Sequence, residues 1–100
     1  MSYRLVILPN AQMEIDQAFE YYAQFSQSAV MNFDKQLEQV YENLEKNPFF
    51  QVRYKELRAV PFKSLPFMIF FTIDNELKTV YIYSVFNTHQ DTSKYPDDSL

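Results

Sequence analysis

The sequence contains no glycine, no cysteine and no tryptophan among its 100 residues. Without glycine, the chain has neither a phosphate-binding P-loop nor a G-x-G-x-x-G turn, because both bring backbone to positive φ or close to a ligand. Without cysteine, it has no disulfide framework, no thiolate zinc site and no cysteine nucleophile. Nucleotide-binding folds of those kinds, disulfide-stabilised domains and thiol enzymes are therefore excluded.

Long apolar runs are also absent, since no stretch of the sequence approaches the roughly 20 residues that span a bilayer. Residues 1–9 lack the charged start and the long apolar stretch of a signal peptide. His89 is the single histidine, so we expect no metal site, and nothing in the sequence predicts a cofactor. The expectation is a soluble cytoplasmic domain with no membrane partner.

Aromatic residues are abundant, with ten Phe and eight Tyr, and charge is distributed unevenly along the chain. The net charge is −4. Residues 10–45 carry seven acids and one base, whereas residues 46–63 carry five bases and one acid. A local basic segment is able to bind a polyanionic or acidic partner even in an acidic chain. Ordinary solvation of a charged surface explains the same pattern equally well.

Hydrophobic patterning predicts a single domain over residues 1–96, followed by a polar tail over residues 97–100. A β-branched and aliphatic run at residues 3–8, stopped by Pro9, predicts the first strand. Three further strands follow the helical region, which gives the order β-α-α-β-β-β. We expect an α+β fold in which a helical hairpin packs on one face of a mainly antiparallel four-stranded sheet.

Two amphipathic helices occupy the region between the first strand and Pro48. Apolar residues recur at steps of three and four along residues 11–25 and again along residues 30–44. Asn10 and Ser26 are the expected N-caps, since such side chains accept hydrogen bonds from the first backbone amides of a helix. Because the linker between them is short, the helices should form an antiparallel hairpin.

The second half of the chain has the pattern of strands. Residues 51–60 are polar and basic with interspersed apolar residues, which predicts one strand that is solvated on one face. Residues 67–73 form a near-continuous apolar run typical of a central strand, and residues 78–86 form its hairpin partner. Asn75 is the expected positive-φ residue of the turn between them, because glycine is missing.

Cations of the basic segment are the first candidate binding site, namely Arg53, Lys55, Arg58 and Lys63. Because alternate residues of a regular strand share a face, Arg53 and Lys55 should project together. Such a patch suits RNA phosphate or an acidic protein surface. Lysine and arginine also protect edge strands from aggregation, which explains the same residues equally well.

Aromatic residues of the last strand are the second candidate site. Strict alternation places Tyr81, Tyr83 and Val85 on one face of the sheet. Only one face can meet the helices, so the other must be covered by a partner or by self-association. Ordinary core packing is the simplest explanation of these tyrosines, and a base-stacking platform for single-stranded nucleic acid is another.

The order and spacing of several short motifs resemble the RelE/ParE superfamily of toxins from bacterial type II toxin-antitoxin modules, a group also called plasmid stabilisation proteins. The similarity extends over residues 3–96. Among the motifs that carry it are Pro9-Asn10-Ala11, Glu56-Leu57-Arg58, Leu65-Pro66-Phe67 and Thr88-His89-Gln90-Asp91.

The resemblance implies a toxin that is neutralised by an antitoxin, which wraps it in an extended segment and one or more helices. RelE-like members cleave mRNA on the ribosome, whereas ParE-like members inhibit DNA gyrase. No basic residue follows Leu65-Pro66-Phe67, which makes the chain more similar to ParE-like members. We therefore expect growth inhibition by binding, with Tyr81 and Tyr83 as the antitoxin-binding face. The chain should be a homodimer or part of a toxin-antitoxin hetero-oligomer.

An mRNA interferase is the alternative that the resemblance leaves open. RelE-like nucleases use Lys and Arg on the sheet and Arg, Tyr or His near the C-terminus, which correspond here to Lys55, Arg58, His89 and Tyr95. The chain has Phe67-Met68 where nucleases carry an arginine, which removes part of the expected phosphate clamp. His89 is better explained as an exposed residue of a terminal turn than as a general acid or base. A degenerate toxin that only binds its antitoxin is a third hypothesis.

Overall fold

The computed structural model describes residues 2–89, and these residues form two helices and one sheet. The elements in chain order are β1 (Arg4–Ile7), α1 (Pro9–Ala23), α2 (Gln27–Lys46), β2 (Val52–Tyr54), β3 (Leu57–Pro61), β4 (Phe67–Asp74) and β5 (Thr79–Asn87). The predicted α+β class is confirmed, but the sheet has five strands where four were expected. The predicted polar tail lies outside the described residues.

The strands lie in the order β1-β5-β4-β3-β2. β1 runs parallel to β5, and every other neighbouring pair is antiparallel. The long apolar strands β4 and β5 therefore lie inside the sheet, and the short strands β1 and β2 form its edges. Short edge strands limit the length of unpaired backbone that could pair with another chain.

The basic stretch predicted as one strand is two strands joined by a tight turn. β2 ends at Tyr54 and β3 begins at Leu57, and Lys55 between them has a φ of 52°. In the absence of glycine, a lysine adopts the left-handed conformation that reverses the chain. The expectation that Arg53 and Lys55 project together from one regular strand is therefore wrong.

The turn between β4 and β5 is also built differently from the prediction. Lys78 has positive φ, at 49°, whereas Asn75 does not. Asp74 Oδ1 accepts a hydrogen bond of 3.1 Å from the amide of Leu77, which stabilises a longer loop. Because the loop is longer than expected, the residue with left-handed conformation lies at its end and not near its start. The prediction for Asn75 is therefore wrong.

The two helices begin in different ways. Ser26 is the N-cap of α2 as predicted, and its Oγ accepts a hydrogen bond of 3.0 Å from the amide of Ala29. α1 begins at Pro9, and its N-cap position, Leu8, makes no side-chain capping bond. Proline already has the φ of a first helical residue. Asn10 therefore lies inside the first turn, and its prediction as N-cap is wrong.

Both helices pack on one face of the sheet, where they bury the larger apolar cluster, which we call the helix-side core. Phe33 lies at its centre with no exposed surface, and four aromatic rings have centroids within 5.7 Å of its own. The buried members are Ala11, Ile15, Ala18, Phe33, Leu37, Val40, Leu44, Val60, Phe62, Phe67, Ile69, Phe71, Val80, Ile82 and Val85. The helical stripes predicted from periodicity thus supply one side of this core. The first stripe was predicted to run to residue 25, but α1 ends at Ala23 and Phe25 is 65% exposed, so that end of the prediction is wrong.

A smaller buried cluster lies on the opposite face of the sheet. It contains Leu57, Ala59, Met68, Phe70 and Phe86, with Tyr54 and Tyr83 packed against it, and we call it the far-face cluster. Neither helix contributes a residue to it. Both faces of the sheet therefore bury apolar side chains, although both helices lie on one of them.

A bulge in β5 changes which face its later residues occupy. Phe70 pairs with Ser84 and Phe71 pairs with Ile82, so Tyr83 is an extra residue on the β5 side. After the bulge, Val85 packs in the helix-side core. The prediction that Val85 shares a face with Tyr83 is therefore wrong, because a bulge breaks strict alternation.

Candidate functional site

The predicted cations do not form one patch. Arg53 and Lys55 are exposed at β2 and the turn that follows it, and the Lys55 ammonium lies 5.4 Å from the centroid of the Tyr54 ring. Lys63 follows the other end of β3, about 16 Å of extended chain from Arg58. It lines a separate cleft against α2. The structure thus places Arg53, Lys55 and Arg58 in one region and Lys63 in another.

Arg58 makes contacts within the fold. Its Nη1 donates a hydrogen bond of 2.7 Å to the backbone oxygen of Phe50, and its guanidinium lies 5.7 Å from the centroid of the Phe49 ring. The Phe49 ring packs edge-on against Tyr3, with centroids 6.0 Å apart. Arg58 therefore ties the segment that follows α2 to the sheet, through a charge-assisted hydrogen bond and a cation-π contact.

His89 lies toward the opposite end of the sheet from Arg58. Arg58 pairs with Phe71 of β4, whereas Asn87 at the end of β5 pairs with Phe67. The two pairs are four residues apart along β4, which corresponds to about 13 Å. His89 comes two residues after Asn87. His89 is exposed, and its backbone amide donates a hydrogen bond of 2.9 Å to Asn87 Oδ1.

Those of the predicted nuclease residues that the structure describes are consequently not assembled into one site. Lys55 and Arg58 lie near the β2-β3 turn and away from His89, and Tyr95 lies outside the described residues. Over residues 2–89, no group of three or more His, Cys, Asp or Glu side chains is arranged to hold a metal ion. None of the helices formed by these residues combines the length and apolar character of a membrane span.

Tyr81 and Tyr83 are half-buried and line an apolar groove with Leu8 and Pro9. The groove has a volume of about 550 Å³. β1 pairs with β5 only as far as Ile82, so the chain turns into α1 beside these two tyrosines. An aromatic pair with a hydroxyl at each ring tip is typical of surfaces that bind other proteins.

Glu14 on α1 is a half-buried polar residue whose role the sequence analysis missed. Its Oε1 accepts hydrogen bonds from Ser84 Oγ at 2.7 Å, from the Val85 amide at 3.0 Å and from the Asn10 side-chain amide at 3.3 Å. The Asn10 amide also lies 3.3 Å from the backbone oxygen of Tyr83, to which it donates. Two side chains of α1 therefore form hydrogen bonds with backbone groups of β5 beyond the point at which β1 stops pairing with that strand.

Burial raises the pKa of the Glu14 carboxyl, and the hydrogen bonds from Ser84 and Val85 oppose that rise. The partners of Glu14 on β5 are 70 and 71 positions away along the chain. A carboxylate near the start of a helix predicts only a favourable interaction with the helix dipole. No local signal in the sequence could have identified its role in closing the edge of β5.

The family of the chain follows from comparison with known proteins. Residues 5–92 match the family model described as "ParE toxin of type II toxin-antitoxin system, parDE". The fold is similar to a chain of "Chromosomal ParDE TA system from P. aeruginosa", with a TM-score of 0.70, 13% identity, and coverage of 85% of this chain and 95% of that chain. That likeness shows the fold alone, and no curated protein matches the sequence. Because the family model spans most of its residues, the chain belongs to the ParE toxin family of type II toxin-antitoxin systems.

Proposed function

We propose that the chain inhibits growth by binding DNA gyrase in the cytoplasm, without cleaving RNA. The observation that carries this proposal is the separation of the candidate nuclease groups. Cleavage of RNA without a metal needs a base, an acid and cations at the same phosphate, within hydrogen-bond reach of it. Lys55 and Arg58 lie about 13 Å or more along the sheet from His89, which favours binding over catalysis.

Arg53 and Lys55 form the surface that we propose contacts the target. Arg53 lies on β2 and Lys55 lies in the turn that follows it, and both are exposed. An exposed cationic surface is electrostatically complementary to an acidic protein surface and accelerates association with it. Arg58 is better explained by its bonds to Phe50 and Phe49, so it is not part of the proposed contact.

We also propose that a cognate antitoxin binds the groove of Leu8, Pro9, Tyr81 and Tyr83. Membership of a toxin-antitoxin family supports such a partner. The groove is apolar, with tyrosines along one side, and these features suit the apolar side chains of an inserted helix or extended segment. The target surface and the antitoxin surface lie at opposite edges of the sheet, so their variants should separate the two functions.

Growth arrest and gyrase supercoiling are the measurements that test the target. We expect induction of the chain alone to arrest growth and the purified chain to inhibit supercoiling. The double variant Arg53→Ala, Lys55→Ala should lose both effects, whereas Lys63→Ala, an exposed cation in a different cleft, should retain them. Cleavage of ribosome-bound mRNA with unimpaired supercoiling would support the RNA interferase instead and refute this proposal.

Rescue of growth by co-expression tests the antitoxin surface. The protein encoded beside this chain should restore growth to cells that express the wild-type chain. The double variant Tyr81→Ala, Tyr83→Ala should remain toxic and escape rescue, while Tyr21→Ala, which removes an exposed tyrosine of α1, should be rescued normally. Full rescue of the double variant would show that the antitoxin binds elsewhere.

A further inference from the structure

A cleft between α2 and the chain that follows β3 is rich in hydrogen-bond donors. Its volume is about 490 Å³, and none of the described residues that line it is acidic. We call it the amide cleft, because carboxamides of α2 line one side of it. Those carboxamides and the two polar residues that follow β3 are Asn32, Gln36, Gln39, Asn43, Lys63 and Ser64. Donors without neighbouring carboxylates suit an anionic ligand.

α2 is an acidic helix, yet its acids lie on a different face from the amide cleft. Positions 34, 38, 42 and 45 are acidic and recur at steps of four, four and three, so they share one face of the helix. The carboxamides at positions 32, 36, 39 and 43 share another face. With 3.6 residues per turn, the centres of the two faces are roughly 130° apart around the helix. The side of α2 that lines the cleft is therefore free of negative charge.

Hydrogen bonds within the amide cleft occupy its acceptors and leave donors unused. Gln36 Nε2 donates to Ser64 Oγ at 2.8 Å and to Asn32 Oδ1 at 3.2 Å, and the Ser64 amide donates to Gln36 Oε1 at 3.1 Å. Gln39 Nε2 donates to Asn43 Oδ1 at 3.4 Å. Each asparagine therefore keeps its NH₂ group for another acceptor. The bonds of Gln36 also hold the chain after β3 against α2, so the cleft is formed before any ligand binds.

Two lysines complete the donor set. Lys35 and Lys63 both line the cleft and are exposed. No ion pair of either ammonium is found in the described part of the chain. Two ammonium groups and two amide NH₂ groups are complementary to the oxygens of carboxylates.

We propose that the amide cleft binds an acidic segment of a partner protein in an extended conformation. From Asn32 to Asn43 the helix extends about 16 Å, which is the length of about five residues of extended chain. Nucleic acid is the less favourable ligand, because its affinity depends on many phosphate contacts. The cleft offers two cations, and the chain around it has a net charge of −4.

The amide cleft is separate from both surfaces proposed above. It shares no residue with the groove of Tyr81 and Tyr83, and neither Arg53 nor Lys55 lines it. The inference therefore does not depend on the proposed target or antitoxin.

Fluorescence anisotropy at low ionic strength tests the inference, with a labelled hexapeptide in which Asp and Ser alternate as the probe. The double variant Lys35→Ala, Lys63→Ala should bind it at least tenfold more weakly than the wild-type chain. Lys46→Ala, which removes an exposed cation of α2 outside the cleft, should bind it normally. The same peptide with Asn in place of Asp should bind at least tenfold more weakly. Equal affinity of the double variant and the wild-type chain, or no binding by the wild-type chain, would overturn the inference.

A nearly isosteric variant tests the donor set without removing a lysine. Asn43→Asp places a carboxylate in the cleft and should weaken peptide binding several-fold, whereas Asn75→Asp adds the same charge in the β4-β5 turn and should not. Tighter binding of single-stranded oligothymidylate than of the peptide, lost in the same lysine variant, would overturn the inference in favour of nucleic acid. Because Arg53→Ala, Lys55→Ala should still bind the peptide, failure here is distinguishable from failure of the proposed target.

Discussion

The two faces of the sheet bury apolar side chains by different means. On the helix side, α1 and α2 supply complementary stripes, and aromatic rings surround Phe33. On the far side, the described residues of the cluster around Phe70 come from β3, β4 and β5. The first face is closed by two helices, and neither helix contributes to the second. We therefore expect substitutions in the helix-side core to affect the fold most strongly.

The two faces also differ in the surroundings of their polar side chains. On the helix side, Glu14 and Asn10 bond to the backbone of β5 and fix α1 against the strand. On the far side, Tyr81 and Tyr83 remain half-buried beside an apolar groove. Substitutions on the helix side should therefore act through stability, whereas those at the groove should act through binding.

Phe33→Ala should produce the largest loss of stability. Removal of a fully buried ring that touches four other rings is expected to lower the free energy of unfolding by about 3–5 kcal/mol. That is a large fraction of the roughly 5–15 kcal/mol that stabilises a typical domain. Urea unfolding followed by circular dichroism measures it. Met31→Ala, at a position of α2 that is 63% exposed, is the control and should change stability by no more than about 0.5 kcal/mol.

Much of the helix side could be predicted from the sequence because its signals are local. Steps of three and four placed the helical stripes correctly except at Phe25, and Ser26 identified the start of α2. The features that could not be predicted depend on contacts distant in the chain or on small local irregularities. The bulge at Tyr83 inverts the face of Val85, and no residue type in β5 marks it.

The candidate site was predicted by residue type but not by arrangement. Lys55 and Arg58 are cations of one short segment, yet one lies in a left-handed turn and the other bonds to the backbone of Phe50. The distance between Arg58 and His89 depends on the register of three strands. Neither the local geometry of Lys55 and Arg58 nor this distance can be deduced from spacing in the sequence. The proposal that the chain acts by binding and not by catalysis therefore depends on the geometry of the sheet.

Glu14→Ala should cause the next largest loss. The substitution leaves the Val85 amide and the Ser84 hydroxyl without their acceptor, and each buried unpaired group costs about 1–3 kcal/mol. Glu14→Gln retains a side-chain oxygen that can accept the same bonds, so it should be considerably more stable than Glu14→Ala. Equal destabilisation by both substitutions in urea unfolding would show that these hydrogen bonds do not hold α1 against β5.

The same pair of variants predicts a pH dependence. Because burial raises the pKa of Glu14 in the folded chain above its ordinary value of 4.5, the folded state binds a proton more readily than the unfolded state. The contribution of Glu14 to stability is therefore fully present below pH 4.5 and is lost as pH rises through the higher folded value. The difference in unfolding free energy, Glu14→Gln minus wild type, should increase with pH over that window, and a decrease would contradict the shift.

The smallest effect concerns the β4-β5 turn, where the absence of glycine forces a lysine into the left-handed region. At position 78, Gly should be more stable than Ala by up to about 1 kcal/mol, because only Ala has a Cβ that conflicts with positive φ. Both substitutions remove the ammonium that lies 5.4 Å from the Tyr3 ring, so that contact cancels in the comparison. At position 75 the order should reverse, since Asn75 has no positive φ and glycine there only adds freedom to the unfolded chain. Thermal unfolding of Lys78→Gly, Lys78→Ala, Asn75→Gly and Asn75→Ala measures all four, and the same order at both positions would contradict this turn.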